Sequence, residues 1–183
     1  IMLALAFLSL WIASPLKALA ESPPLPAAKN QISLNETIYL RMLARKIWSF
    51  FEKFVTEEDN WLPPDNYQET PVERTAHRTS PTNIGLSLLS GLTAYDFGYI
   101  TPLKLIERTS NTINTMLSME RYRDHVYNWY DNASLATLFP KYISTVYSGN
   151  IAGHLRKLKQ GLIYILDNKI INKHFFEGLC DAA

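Results

Sequence analysis

Cysteine is nearly absent from this chain. Cys180 stands alone among 183 residues, so there is no internal disulfide framework and no Cys-x-x-Cys pair to hold zinc. Histidine is also scarce: His77, His125, His154 and His174 lie far apart, and none falls in a His-Glu-x-x-His pattern; no metal site is expected. Neither sign of charge dominates. With 18 Lys and Arg against 17 Asp and Glu, there is no electrostatic reason to expect nucleic acid or a strongly anionic partner. A glycine-rich phosphate loop and a dense basic cluster are both missing, as is the Gly-x-Ser-x-Gly elbow of the serine hydrolases. No series of alternating apolar and polar residues marks a sheet.

What the chain does have is a hydrophobic start, a set of amphipathic stretches and two long polar segments rich in aromatics. "IMLALAFLSLWIASPLKALA" carries no charge before Lys17. Its continuous apolar run is about 14 residues, against the roughly 20 that span a bilayer. Three readings fit residues 1–20: the end of a transmembrane helix, with Trp11 near the interface; a signal peptide, with "ALA" before Glu21 as the cleavage site; and a buried helix. The first is the expectation adopted. Residues 21–33, including "ESPPLPAAKNQI", read as an extended proline-rich linker. The opening at Ile1 and the end at "LCDAA" are those expected of a piece of a longer polypeptide.

From residue 34 onward the apolar spacing is helical. Ser33 or Asn35 caps a first helix in which Ile38, Leu40, Leu43, Ile47, Phe50, Phe51 and Phe54 recur on one side; it ends near Thr56. A second helix runs through Ile84, Leu88, Leu92 and Tyr95, capped by Thr82 or Ser80. Thr101 caps a third with Pro102 at its first position and Leu103, Leu105, Ile106, Ile113, Met116, Leu117 and Met119 on its apolar side. A fourth starts at Ser148-Gly149-Asn150, and a fifth lies in "KIINKHFFEGLCDAA". The expected architecture is all-α, built of paired helices with long connections gathered at one end.

Those long connections carry the candidate chemistry. The first, "EEDNWLPPDNYQETPVERTAHRTSPTN", offers Trp61, Asp65, Asn66, Gln68, Glu69, His77, Arg78, Thr79 and Asn83. The second, around "YNWYDN", offers Asn128, Trp129, Tyr130 and Asp131, with a short extended piece expected near Val126 to Trp129. Flat apolar faces beside short polar groups suit a sugar, whose ring shows a C–H face and a rim of hydroxyls. The plainer readings stand beside this one. Trp61 with Pro63 and Pro64 could pin its loop to the core. His77 could be a hydrogen-bonded structural histidine, and Arg78 could brace Asp65 or Glu69. Trp129 and Tyr130 could be packing residues, with Asp131 bonding loop amides. Glycoside chemistry needs two carboxylates; Asp65, Glu69, Asp124 and Asp131 are the candidates, and spacing does not choose a pair.

Four strings say more: "FFEKFVTEEDNWLPPDNYQE", "AHRTSPTNIGLSLLSGLTAYDFGYI", "MLSMERYRDHVYNWYDN" and "YISTVYSGNIAGHL". In order and spacing they resemble the central part of bacterial cyclic β-1,2-glucan synthases, over roughly residues 45 to 160. The resemblance implies a large inner-membrane protein with the soluble part on the cytoplasmic side. In it, a glycosyltransferase domain uses UDP-glucose, a glycoamylase-like (α/α)6 domain closes rings by transglycosylation, and a phosphorylase-like region follows. Residues 34–183 would be the N-terminal part of the (α/α)6 domain, an incomplete toroid of helical hairpins preceded by a membrane segment. β-1,2-glucan is then the partner, the domain itself needs no cofactor or metal, and a non-catalytic glucan-binding module and a helical scaffold are the alternatives. Trp61, Trp129 and Tyr130 would stack on glucose; Asp65, Asn66, Gln68, Glu69, His77, Arg78, Thr79, Asn83 and Asn128 would contact sugar. Asp131 is the carboxylate chosen as catalytic. One departure from the family pattern is Tyr147, where an acidic residue is usual.

Overall fold

A computed structural model of the protein describes residues 2–22, 32–167 and 173–182. Contacts divide the chain into two units, Ile1–Thr37 and Ile38–Ala183.

In the first unit, α1 covers Met2–Glu21 and contains Pro15. Proline has no N–H to offer the carbonyl four residues back, and the Ser14 hydroxyl donates to that Trp11 carbonyl instead, at 2.7 Å. Phe7, Leu10, Trp11, Ile12 and Leu19 are all exposed. Among the described residues no helix is long and apolar enough to cross a membrane; Pro15, Lys17 and Glu21 all lie within α1. The membrane segment expected over residues 1–20 therefore finds no support in the structure. Most of the proline-rich linker lies outside the described residues.

Helix α2, Leu34–Phe54, starts at Ser33 and not Asn35. The Glu36 carboxylate accepts from the Ser33 N–H at 2.8 Å, while the Ser33 hydroxyl oxygen accepts from the Glu36 N–H at 3.3 Å, a reciprocal capping box. Helix α3, Pro81–Asp96, is capped by Ser80, whose oxygen accepts from the Asn83 N–H. Helix α4, Pro102–Ser118, is capped by Thr101 through the Lys104 N–H. Helix α5, Thr145–Leu166, begins three residues before the expected Ser148, because Ser144 caps it by accepting from the Tyr147 N–H. Tyr147 therefore lies in the first turn of α5. Helix α6 covers Lys173–Ala182; residues 169–172 and 183 of the fifth expected helix lie outside the described residues.

Helix α3 packs on both α4 and α5. One core cluster joins Leu62, Ile84, Leu88, Met116, Met119, Tyr130, Ile151 and Leu158; a second joins Trp48, Ala94, Ile100 and Leu105. Leu92 and Leu162 touch both. The close approach of α3 to α5 needs glycine: a methyl group on Gly85 would sit 2.2 Å from His154 Nδ1, and one on Gly161 would sit 2.3 Å from Leu92. On α4 the buried stripe is Leu105, Thr109, Thr112 and Met116. Leu103, Ile106 and Leu117, expected on its apolar side, are exposed.

The long connections are less irregular than their sequence suggests. A 3-10 turn, Glu57–Asp59, follows α2. Three antiparallel pairs of two-residue strands come next: β1 (Tyr67–Gln68) with β2 (Arg74–Thr75), β3 (Arg78–Thr79) with β6 (Tyr130–Asp131), and β4 (Arg121–Tyr122) with β5 (His125–Val126). The first connection leads from the C-terminal end of α2 to the start of α3, the second from the C-terminal end of α4 to the start of α5. The β3–β6 pair joins one to the other.

Candidate carbohydrate site

The register of that pair sets the site. Arg78 lies opposite Asp131 and Thr79 opposite Tyr130. Side chains alternate across a strand, so Thr79 and Tyr130 point inward, both 0% exposed, while Arg78 and Asp131 share the outer face with Trp129. Further hydrogen bonds, backbone and side-chain, stitch the two loops together. The Asn132 N–H donates to the His77 carbonyl at 3.1 Å, and the Asn60 amide donates to the Asn132 carbonyl at 2.7 Å and the Ala133 carbonyl at 3.0 Å. Within the second loop, the Asn128 N–H donates to the Tyr142 carbonyl and the Leu138 N–H to the Trp129 carbonyl.

On the outer face the Arg78 guanidinium lies 5.0 Å from the centre of the Trp129 ring, a cation–π contact. Its Nε and Nη2 both donate to Asp65 Oδ2, at 3.2 and 3.0 Å. Asn66 also donates to Oδ2, and Asn83 donates to Oδ1 at 3.4 Å. Asp65 is thus an anchor with both oxygens already accepting. Arg78, half exposed, stays available to a ligand. Asp131 accepts at Oδ1 from the Ser134 N–H and hydroxyl, at 2.8 and 2.7 Å. These bonds, the backbone one foremost, hold its carboxyl below the usual carboxylate range. A proton donor to a leaving oxygen needs the opposite shift.

His77 stands beside this group. Its Nδ1 is 2.9 and 3.1 Å from the two oxygens of Asp59, a carboxylate that sequence reasoning missed. The only sign of it there was the acidic run just ahead of "NWLPPDN". Among the described residues no group of three or more His, Cys, Asp or Glu converges to hold a metal. A groove of about 410 Å³ between α4 and α5 is lined by Met116, Ile151 and Leu155 with Arg121, Asp124 and His125 at its edge. None of the predicted sugar residues lines it.

This geometry belongs to a chain whose likeness to known proteins is specific. It is 46% identical over 152 residues, 82% of its length, to the cyclic beta-(1,2)-glucan synthase NdvB of Rhizobium meliloti (strain 1021). This chain is a relative of the cyclic β-1,2-glucan synthases. It spans 5% of the length of NdvB. The structure of a glucoamylase-like protein from Bacteroides fragilis NCTC 9343 superposes with a TM-score of 0.55 over 76% of this chain and 37% of that one. At 12% identity that likeness shows a shared fold. No family model matches the chain. The resemblance carried by the four motifs is borne out by NdvB, and the helical, glycoamylase-like reading by the shared fold.

The residues chosen from those synthase-like motifs divide into four sets. Asp65, Asn66, Arg78, Asn83, Trp129 and Asp131 come together on the outer face, with His77 beside them. Thr79, Asn128 and Tyr130 do not reach it. Asn128 is 2% exposed, and the Tyr130 hydroxyl is committed inside, donating to the Glu120 carbonyl and accepting from the Tyr127 N–H, both at 2.7 Å. Their expected sugar contacts are corrected to core and loop-bracing roles. Trp61 is also placed elsewhere. It lies 5.9 Å from both Lys104 and Arg108 of α4, and Arg108 is in turn 5.2 Å from Trp48. Gln68 and Glu69 are exposed on the β1–β2 hairpin, whose Tyr67 ring lies on Phe54, 4.7 Å between centres.

Proposed function

We propose that this region binds β-1,2-glucan and, within a complete synthase, serves the transglycosylation that closes the ring. The observation that carries the reading is the Arg78–Trp129 contact over the β3–β6 pair. Two loops, distant in sequence and both matching the synthase motifs, meet there to present an aromatic face beside guanidinium and amide donors. That pairing suits a pyranose ring: Trp129 covers C–H groups, and Arg78, Asn66 and Asn83 donate to hydroxyl oxygens. On the same reading the whole protein works at the bacterial inner membrane with this region on the cytoplasmic side. UDP-glucose is the glucosyl donor, and glycosyltransferase and phosphorylase-like regions are the neighbours.

A second reading, a glucan-holding module without chemistry of its own, is favoured by one observation: the candidate carboxylate Asp131 is tied into a turn and shifted away from acid duty. The departure at Tyr147 points the same way. The intact protein incubated with linear β-1,2-glucooligosaccharides separates the possibilities. Redistribution of chain lengths supports the enzyme. Binding without redistribution supports the module. Absence of both leaves a helical scaffold and refutes the carbohydrate reading.

A further inference from the structure

Directly after Asp59 the backbone takes an unusual path. Asn60 and Trp61 both have positive φ, 52° and 59°. Asparagine tolerates that region, whereas a tryptophan there is strained and persists only where its surroundings hold it. Four bonds do so. From α4, the Thr115 hydroxyl donates to the Asn60 carbonyl at 2.7 Å and the Thr112 hydroxyl to the Trp61 carbonyl at 3.0 Å. From the other side, the Asn60 amide reaches two carbonyls of the second loop. The consequence of this fixed path is the placement of Asp59. Its carboxylate is largely buried, 13% exposed, beneath a His77 ring that is 55% exposed.

A carboxylate only accepts hydrogen bonds. Facing both its oxygens, His77 Nδ1 carries the proton, and in that Nδ1–H tautomer Nε2 keeps a lone pair. The outer face is otherwise rich in donors. Arg78, Asn66 and Asn83 are donors, Asp65 is used at both oxygens, and Asp131 Oδ1 is taken by Ser134. A sugar hydroxyl also has a proton to give. We infer that Asp59 is a positioning residue that fixes His77 as its Nδ1–H tautomer, so that Nε2 accepts a hydroxyl proton from bound glucan beside Trp129 and Arg78. The inference rests on the carbohydrate reading above and adds to it the acceptor half of hydroxyl recognition.

The test combines ¹⁵N-histidine NMR with glucan titration of the intact chain, as wild type, Asp59→Asn, His77→Ala and the double variant. In wild type without ligand, the expected proton sits on Nδ1, and the Nε2 resonance moves as linear β-1,2-glucooligosaccharide is added. Asp59→Asn weakens binding about tenfold, as expected when a ring loses its enforced hydrogen-bonding pattern. In the His77→Ala background the same change adds no further loss. A proton on Nε2 in the free protein overturns the inference whatever the binding result. So does an Nε2 signal that stays still while glucan binds, or an equal loss from Asp59→Asn in both backgrounds. If Asp59→Asn fails to fold, the wild-type tautomer and the His77→Ala affinity still decide. A wild type with Nδ1 protonated that binds no glucan sinks the carbohydrate reading and leaves the Asp59–His77 orientation standing.

Discussion

Replacing Tyr130 with phenylalanine separates a core residue from a ligand contact. The ring is fully buried, and its hydroxyl both accepts from the Tyr127 N–H and donates to the Glu120 carbonyl at 2.7 Å. Phenylalanine keeps the ring volume, so no cavity opens. The cost is the two bonds: a backbone N–H and a C=O left short of a partner lose about 1–2 kcal/mol each, about 2–4 kcal/mol together. For a chain of this size each kcal/mol moves the midpoint by about 2–4 °C, so Tyr130→Phe lowers the melting temperature by roughly 5–15 °C. Burial also pushes the phenol up to about 12, so the loss is the same across neutral and mildly alkaline buffers. Thermal unfolding followed by circular dichroism reads the shift, and glucan titration of the folded variant reads the affinity. A melting temperature within about 2 °C of wild type, or a lost affinity without lost stability, would put Tyr130 on the ligand face and refute the register argument.

Gly85→Ala places a methyl group 2.2 Å from His154 Nδ1; the displaced histidine costs about 1–3 kcal/mol, read as a lower unfolding midpoint in urea. Asp65→Asn removes the anchor of Arg78. Because Arg78 is half exposed, the stability change stays below about 1 kcal/mol, while glucan affinity falls several-fold in the same titration. Asp131→Asn tests the depressed carboxyl. A lowered folded-state pKa stabilises the protein above the unfolded value near 3.9, and that contribution is lost as pH falls through the folded value. The gap between wild type and variant in urea unfolding is therefore full at pH 7 and narrows below about pH 4.

The helices and most of their starts are legible in the sequence because local chemistry sets them. Ser33 with Glu36, Ser80 with Pro81, and Thr101 with Pro102 each place a capping oxygen ahead of an apolar period. The start of α5 is less legible: Ser144 competes with Ser148-Gly149-Asn150, and the capping geometry at Ser144 decides. The loop motifs name the two loops that meet but not the faces within them. "NWYDN" presents four consecutive candidates, Asn128, Trp129, Tyr130 and Asp131, and only pairing with β3 reveals that Tyr130 turns inward between two outward neighbours. Trp61 shows the same limit, since its partner Arg108 is 47 positions away and carries no local signal. Asp59 was missed because its significance comes from His77, 18 residues on.

Fluorotryptophan NMR reaches the central claim most directly. The chain has four tryptophans, so labelled protein gives four ¹⁹F signals, assignable with Trp129→Phe and Trp61→Phe. On titration with linear β-1,2-glucooligosaccharide the Trp129 signal should move and saturate while the Trp61 signal, held among α4 side chains, stays in place. A Trp61 signal that moves while Trp129 does not, or glucan binding that leaves both unchanged, would contradict the site built on Arg78 and Trp129.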